Sequence, residues 1–195
     1  MNNIVVYCET NGSAIAEVSL ELLTKARSLA AQLNTQVEGI LIGDDLKGLE
    51  SQLYAHGANI VHKAEDPRLV HYQTLPHARI VCDIIEKEQP QIGLFGATPV
   101  GRDLAPRVAS KLKSGLTADC TSLEIGEHYD KKTDTKYENL LYQIRPAFGG
   151  NIVATIINPD TRPQLATVRE GVMKKEEINL PVKGKVKNWK VDELV

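Results

Sequence analysis

The chain has 195 residues, 42% of them hydrophobic and 25% charged, and 23 basic against 25 acidic side chains leave a net charge of −2. That is the composition of a folded globular domain; it excludes global disorder and a charge-driven role on nucleic acid. No apolar run approaches the roughly 20 residues that a membrane-spanning helix needs, so no membrane insertion is expected. Ile4-Val5-Val6-Tyr7-Cys8 opens the pattern as an unbroken apolar run, the mark of a strand buried on both faces of a parallel sheet. Ile15, Val18, Leu22, Ala26, Leu29 and Leu33 then step by three or four along one face of a helix. Val37–Ile42 reads as the next strand, Leu46–Tyr54 as a short helix capped at Gly57, and Asn59–His62 as a brief third strand. A helix over Leu75–Lys87 turns Ala78, Val81 and Ile85 inward, and Pro90 breaks the chain before the strand Ile92–Phe95.

Alternation of strand and helix predicts a parallel sheet between two helical layers, joined by right-handed crossovers. A fourth helix is predicted over Asp103–Leu112, with Pro106 in its first turn and Asp103 as its N-cap. After Gly115 the helices stop: Cys120–Ile125, Tyr137–Ile144 and Ile152–Ile157 read as antiparallel strands, and Gln164–Val168 as a last strand. The expected fold is a three-layer α/β sandwich whose parallel, nucleotide-binding-like (Rossmann-like) sheet is extended by antiparallel strands at one edge. Residues 1–171 make the domain. Residues 172–195 have no periodicity and read as a linker or docking arm, rich in lysine (Lys174, Lys175, Lys183, Lys185, Lys187 and Lys190).

Gly96-Ala97-Thr98-Pro99-Val100-Gly101-Arg102-Asp103 sits between a strand and a helix, where doubly wound sheets bind ligands. The spacing nearly reproduces a phosphate-binding loop, but Arg102 replaces its lysine and Asp103 its hydroxyl, and a carboxylate there repels phosphate. Glu9-Thr10-Asn11-Gly12-Ser13, on the same rim, lacks the glycines of a dinucleotide fingerprint. The five histidines form no i, i+4 pair, so no zinc site is expected, and no nucleophile–base motif supports catalysis. Cys8, Cys82 and Cys120, odd in number and far apart, point to a reducing compartment; the N-terminus lacks signal-peptide character, and a cytoplasmic location is expected. Arg145-Pro146-Ala147-Phe148-Gly149-Gly150-Asn151 reads either as a hairpin turn packed on the core or as a contact surface presenting Arg145 and Phe148.

Gly96–Leu112, Gly115–Cys120, Arg145–Asn151 and Pro163–Arg169 together resemble, in order, the N-terminal domain of electron transfer flavoprotein α subunits. The family usually has proline where this sequence has Glu170. The resemblance implies an electron carrier rather than an enzyme: an α–β heterodimer carrying one FAD and passing electrons from dehydrogenases to a redox acceptor. It also implies that the FAD belongs to a second α domain following a linker like residues 172–195, so no cofactor-binding residue is expected within this chain. The part expected of this domain is to scaffold the β subunit. The candidate interface residues are Arg145, Phe148 and Asn151, with Arg102 and Arg107 second. The competing readings are a free-standing adenine-nucleotide-binding hydrolase of the same fold, motivated by the two loops on one rim, and a pure interaction module.

Overall fold

The computed structural model describes residues 2–11, 14–147, 152–178 and 183–191. Its centre is β1 (Ile4–Cys8), where the unbroken apolar run serves two layers at once. Ile4, Val6 and Cys8 face one core, with Leu22, Leu29 and Leu33 of α1 (Glu17–Leu33), while Val5 and Tyr7 face the other. Residues alternate across a pleated strand, so a strand covered on both sides has no polar positions to spare. Between β1 and α1, β2 (Thr10–Asn11) and β3 (Ala14–Ile15) form a two-stranded hairpin, so the buried Ile15 precedes the helix instead of opening it.

The chain continues through β4 (Val37–Gly43), α2 (Glu50–His56), β5 (Ile60–Glu65), α3 (Thr74–Glu88), β6 (Ile92–Gly96) and α4 (Pro99–Leu112). Gly57 caps α2 at φ 124°, the positive value that favours glycine. β7 (Leu116–Cys120) follows. The sheet order is completed by β11 (Gln164–Val168) and by β12 (Lys185–Asn188), giving β12-β5-β4-β1-β6-β11-β7 with every neighbouring pair parallel. α1 and Leu53 of α2 lie over one face; Ile80, Val81 and Ile84 of α3 and Leu104 and Val108 of α4 lie over the other. This is the three-layer sandwich.

The antiparallel strands arise beside the edge strand β7. β8 (Ser122–Asp130), β9 (Thr135–Pro146) and β10 (Val153–Ile156) hydrogen-bond as a sheet of their own, in the order β10-β9-β8. Leu123 and Leu141 tie that sheet into the α1 core. The chain then returns as β11, slotted between β6 and β7. No helix among the described residues is long and apolar enough to cross a membrane.

Three expectations about α4 need correction. α4 starts four residues earlier than its predicted first residue, Asp103: Thr98 is the N-cap, its hydroxyl accepting the Gly101 N–H at 2.9 Å, and Pro99 occupies the first turn. Pro106 therefore lies in the helix interior, on its exposed side. Asp103 caps nothing. Its carboxylate accepts the Tyr72 and Thr74 hydroxyls, each at 2.7 Å, and Arg107 Nε at 3.1 Å. Those bonds, Thr74's first, hold the Asp103 carboxyl down at about 2.

A further strand was not legible at all. Lys185–Asn188 pairs with β5 as the outermost strand, Lys185 opposite Ile60 and Lys187 opposite His62. Lysines on an edge strand discourage pairing with a foreign strand. On the way there the chain runs along the helical layer: the Gly171 N–H donates to Glu21, Lys175 Nζ meets Glu17 at 2.7 Å, and the Ile178 N–H donates to the Ala55 carbonyl.

Candidate partner interface and the crevice beside it

The strand order reverses between β1 and β6, and the carboxyl ends of β1 and β4 open there onto a crevice of about 450 Å³. In an open α/β sheet this is where a nucleotide binds. Here it is walled by carboxylates. Glu9 follows β1 and accepts the Thr98 hydroxyl at 2.6 Å, which places its charge beside the first turn of α4, the position a phosphate would occupy. Asp44 and Asp45 line another part of the wall. Burial holds the neighbouring His77 below its ordinary range, against the opposing Gln73 carbonyl bond, so it adds no positive charge at neutral pH. Three acidic side chains and no neighbouring ammonium or guanidinium among the lining residues make a poor seat for a phosphate.

Burial raises the Glu9 carboxyl above its usual range; the Thr98 bond opposes this and the Glu170 charge adds to it. A carboxyl that keeps its proton to a higher pH when folded makes folding take up a proton. Its contribution is therefore present below the ordinary glutamate range and lost as pH rises through the raised value. Glu9→Gln keeps an acceptor for Thr98 and removes the charge. The variant is expected to be more stable than the parent at neutral pH and to lose this part of the pH slope, read from urea unfolding at several pH values; a less stable variant would contradict it.

The second feature lies at the carboxyl end of β7 and β11. Asp119 sits there at φ 60°, uncommon for a residue other than glycine, with its N–H donating to Thr167 Oγ1 at 2.9 Å. Arg169 grips the Asp119 carboxylate with two bonds, 2.7 Å from Nη2 and 3.2 Å from Nε. Arg102 Nη2 stands 3.8 Å from the same group, and the Arg145 charge also reaches it. The Arg169 bonds come first in holding this carboxyl below its usual range. Arg145 leads onward along β9 to a groove of about 520 Å³ with Pro146, Ala147, Ala154 and Ile156. Alongside, Ile152 is 62% exposed and Val153, on β10, 64% exposed. Arginines, an edge strand and uncovered aliphatic side chains form one continuous surface, the composition of a protein contact.

The structure thus joins two of the predicted interface residues, Arg145 and Arg102, around a carboxylate. Arg107 pairs with Asp103 at 3.1 Å on the exposed side of α4 and lines a surface pocket together with Arg102. Phe148 and Asn151 lie outside the described residues. Arg169, Asp119, Ile152 and Val153 were missed as site residues. Arg169 directly follows the apolar strand Gln164–Val168, and a charged residue at a strand's carboxyl end was the available signal.

Among the described residues the grouping with metal-ligand chemistry is Glu38, His62 and Glu88, whose candidate atoms lie within 4.8 Å of one another. Protein groups already engage them: His62 Nε2 bonds Glu38, Asn3 donates to Glu38, and the Lys187 ammonium sits 2.7 Å from Glu88. The cation in that grouping is a lysine. Cys8, Cys82 and Cys120 are buried free thiols, which burial pushes up, to about 11 for Cys82 and Cys120. None has the exposed, electropositive setting of a reactive cysteine.

Residues 4–194 match the family model described as the electron transfer flavoprotein domain. The chain is 48% identical over 183 residues to the electron transfer flavoprotein subunit alpha of Megasphaera elsdenii, covering 94% of this chain and 52% of that protein. It is 38% identical to the acryloyl-CoA reductase electron transfer subunit beta of Anaerotignum propionicum (91% and 52% covered). To the protein FixB of Rhizobium meliloti it is 37% identical (88% and 47%). The chain spans about half the length of these relatives.

Proposed function

Because the chain belongs to the electron transfer flavoprotein domain family, we propose that it is the N-terminal domain of an α subunit, a carrier component whose work is to seat a β subunit. The observation that carries this reading is the continuous surface from Arg102, Asp119 and Arg169 through Arg145 to β10, set on a rigid sheet edge. Residues 1–171 form the platform in this reading, and residues 172–195 lead toward a second domain. FAD, held by that second domain, supplies the electron exchange between dehydrogenases and an acceptor. The acid-walled crevice favours a platform over a nucleotide hydrolase, since Glu9, Asp44 and Asp45 oppose a phosphate at the one place the fold offers it.

Arg145→Glu combined with Val153→Asp tests the surface. Both residues are at least partly exposed, so the isolated chain should keep its circular dichroism. Affinity for the β subunit, measured by calorimetry, is expected to fall by about tenfold or more, roughly 1.4 kcal/mol or above. Undiminished affinity in a folded variant would remove this surface from the interface.

A further inference from the structure

Two buried side chains in the crevice wall carry polar atoms that the rest of the domain does not use. Tyr7 is 4% exposed and His77 3% exposed, and both line the crevice. The Tyr7 ring stacks on Phe95, but among the described residues its hydroxyl has no hydrogen-bond partner. Burial raises that phenol, and Glu9 and Tyr72, both in the wall, add to the shift, so the hydroxyl end of the ring is the end at the crevice. His77 Nδ1 lies 2.9 Å from the Gln73 carbonyl, closer than the Gln73 N–H at 3.3 Å. A carbonyl only accepts, so Nδ1 carries the ring proton and Nε2 is a bare acceptor. Among the described residues Nε2 also has no partner. Buried polar groups are ordinarily paired, and these two are left to whatever fills the crevice.

The rest of the wall decides what that is. Its carboxylates stand at two places, Glu9 after β1 and Asp44 with Asp45 after β4. Glu9 uses Oε1 to accept the Thr98 hydroxyl, and Asp44 accepts the Asp45 N–H. The Tyr72 hydroxyl is already donated to Asp103. The wall is thus rich in acceptors and negative charge, and none of its residues brings a cation. A ligand suited to it supplies N–H donors and positive charge. A single metal ion does not suit it, because the grouping of described residues whose atoms converge on one point is Glu38, His62 and Glu88, in another part of the sheet. Ile42, Leu69 and Val100 give the wall an apolar part, which favours a ligand with methylenes between its charges. The volume of about 450 Å³ is that of a small-molecule site.

We propose that the crevice binds a small alkyl diamine, with one ammonium at Glu9 and the Tyr7 hydroxyl, the other at Asp44 and Asp45, and the methylenes against Ile42, Leu69 and Val100. The acid wall that turns a phosphate away is, for this ligand, the recognition element. The site stands apart from the arginine surface and does not depend on the platform role.

Calorimetric titration of 1,4-diaminobutane into the 195-residue chain, at neutral pH and low salt, tests it. Saturable binding of one diamine per chain is expected. The uncharged 1,4-butanediol and the dianion adipate should not bind at the same concentrations. Tyr7→Phe keeps the stacked ring and the net charge and removes only the unpaired hydroxyl, so it should fold like the parent and bind the diamine about tenfold more weakly, the loss of a hydrogen bond to a charged group. Asp44→Asn with Asp45→Asn changes two exposed residues, and asparagine suits the positive φ of 48° at position 45. That pair should also cost about tenfold or more. Because Tyr7→Phe leaves the charge alone, its effect separates a built site from general attraction of cations to an acidic surface. Absence of saturable diamine binding, equal binding of the diol, or undiminished affinity in either folded variant would each overturn the site. Should Tyr7→Phe not fold, the diol comparison and the aspartate pair still decide.

Discussion

Replacing Gly101 by alanine is expected to destabilise the domain by about 2–3 kcal/mol in urea unfolding, the upper part of the range for forced overpacking. The added Cβ would fall 1.8 Å from the carbonyl oxygen of Gly96. That atom belongs to the last residue of β6 and cannot swing aside as a side-chain tip would. Helix propensity alone argues the other way, since alanine in a helix is favoured over glycine by about 1 kcal/mol. The sign of the change therefore separates the two effects, and a stabilised variant would mean that α4 does not approach β6 this closely. The consequence for function is direct. Gly96 and Gly101 have the look of a phosphate loop, but the structure uses Gly101 to let a helix start against a strand, and Glu9 faces the same turn.

Phe95→Ala should be the most costly of the core truncations near the crevice, about 3–5 kcal/mol by urea or thermal unfolding. Among the described residues Phe95 is the largest fully buried side chain; it belongs to the α3–α4 core and stacks on Tyr7 with ring centroids 5.9 Å apart. Its removal leaves a cavity under the junction of β1 and β6, which rigid neighbours on both strands cannot close. Phe95→Leu, which keeps most of the volume, is expected to cost clearly less. Equal losses for the two substitutions would mean that the site relaxes freely and that the floor of the crevice is not rigid.

The parallel core was legible because burial on both faces writes itself as an unbroken apolar run, as in Ile4–Cys8 and Ile92–Phe95. α4 was misplaced for an identifiable reason. Asp103 was weighed as a cap by residue type, whereas Thr98-Pro99 carries the stronger pairing of a capping hydroxyl with a proline in the first turn. β12 left no trace, because Lys185, Lys187 and Asn188 are polar and an edge strand with one partner needs no alternation to hold it. Pairing between Lys185–Asn188 and Ile60–Lys63 is a long-range fact that no local window contains. The candidate interface was half legible. Arg145 stood out beside proline and the glycine pair, but its approach to Asp119 depends on β9 crossing near the end of β7, which only the three-dimensional path supplies.

In the proposed reading the acidic crevice, at the carboxyl end of the parallel sheet, discourages a phosphate where the fold would otherwise hold one, and the arginine surface, which runs from that sheet onto β9 and β10, offers arginines and aliphatic side chains to a partner. A platform that leaves the prosthetic group to another domain needs both. The most direct measurement is the flavin content of the purified 195-residue chain, alone and after co-expression with a β subunit and with the remaining half of one of its longer relatives, which the proposal takes to be the second domain. Colour is predicted only when that second domain is supplied, and stoichiometric FAD on the 195-residue chain by itself would contradict the platform role.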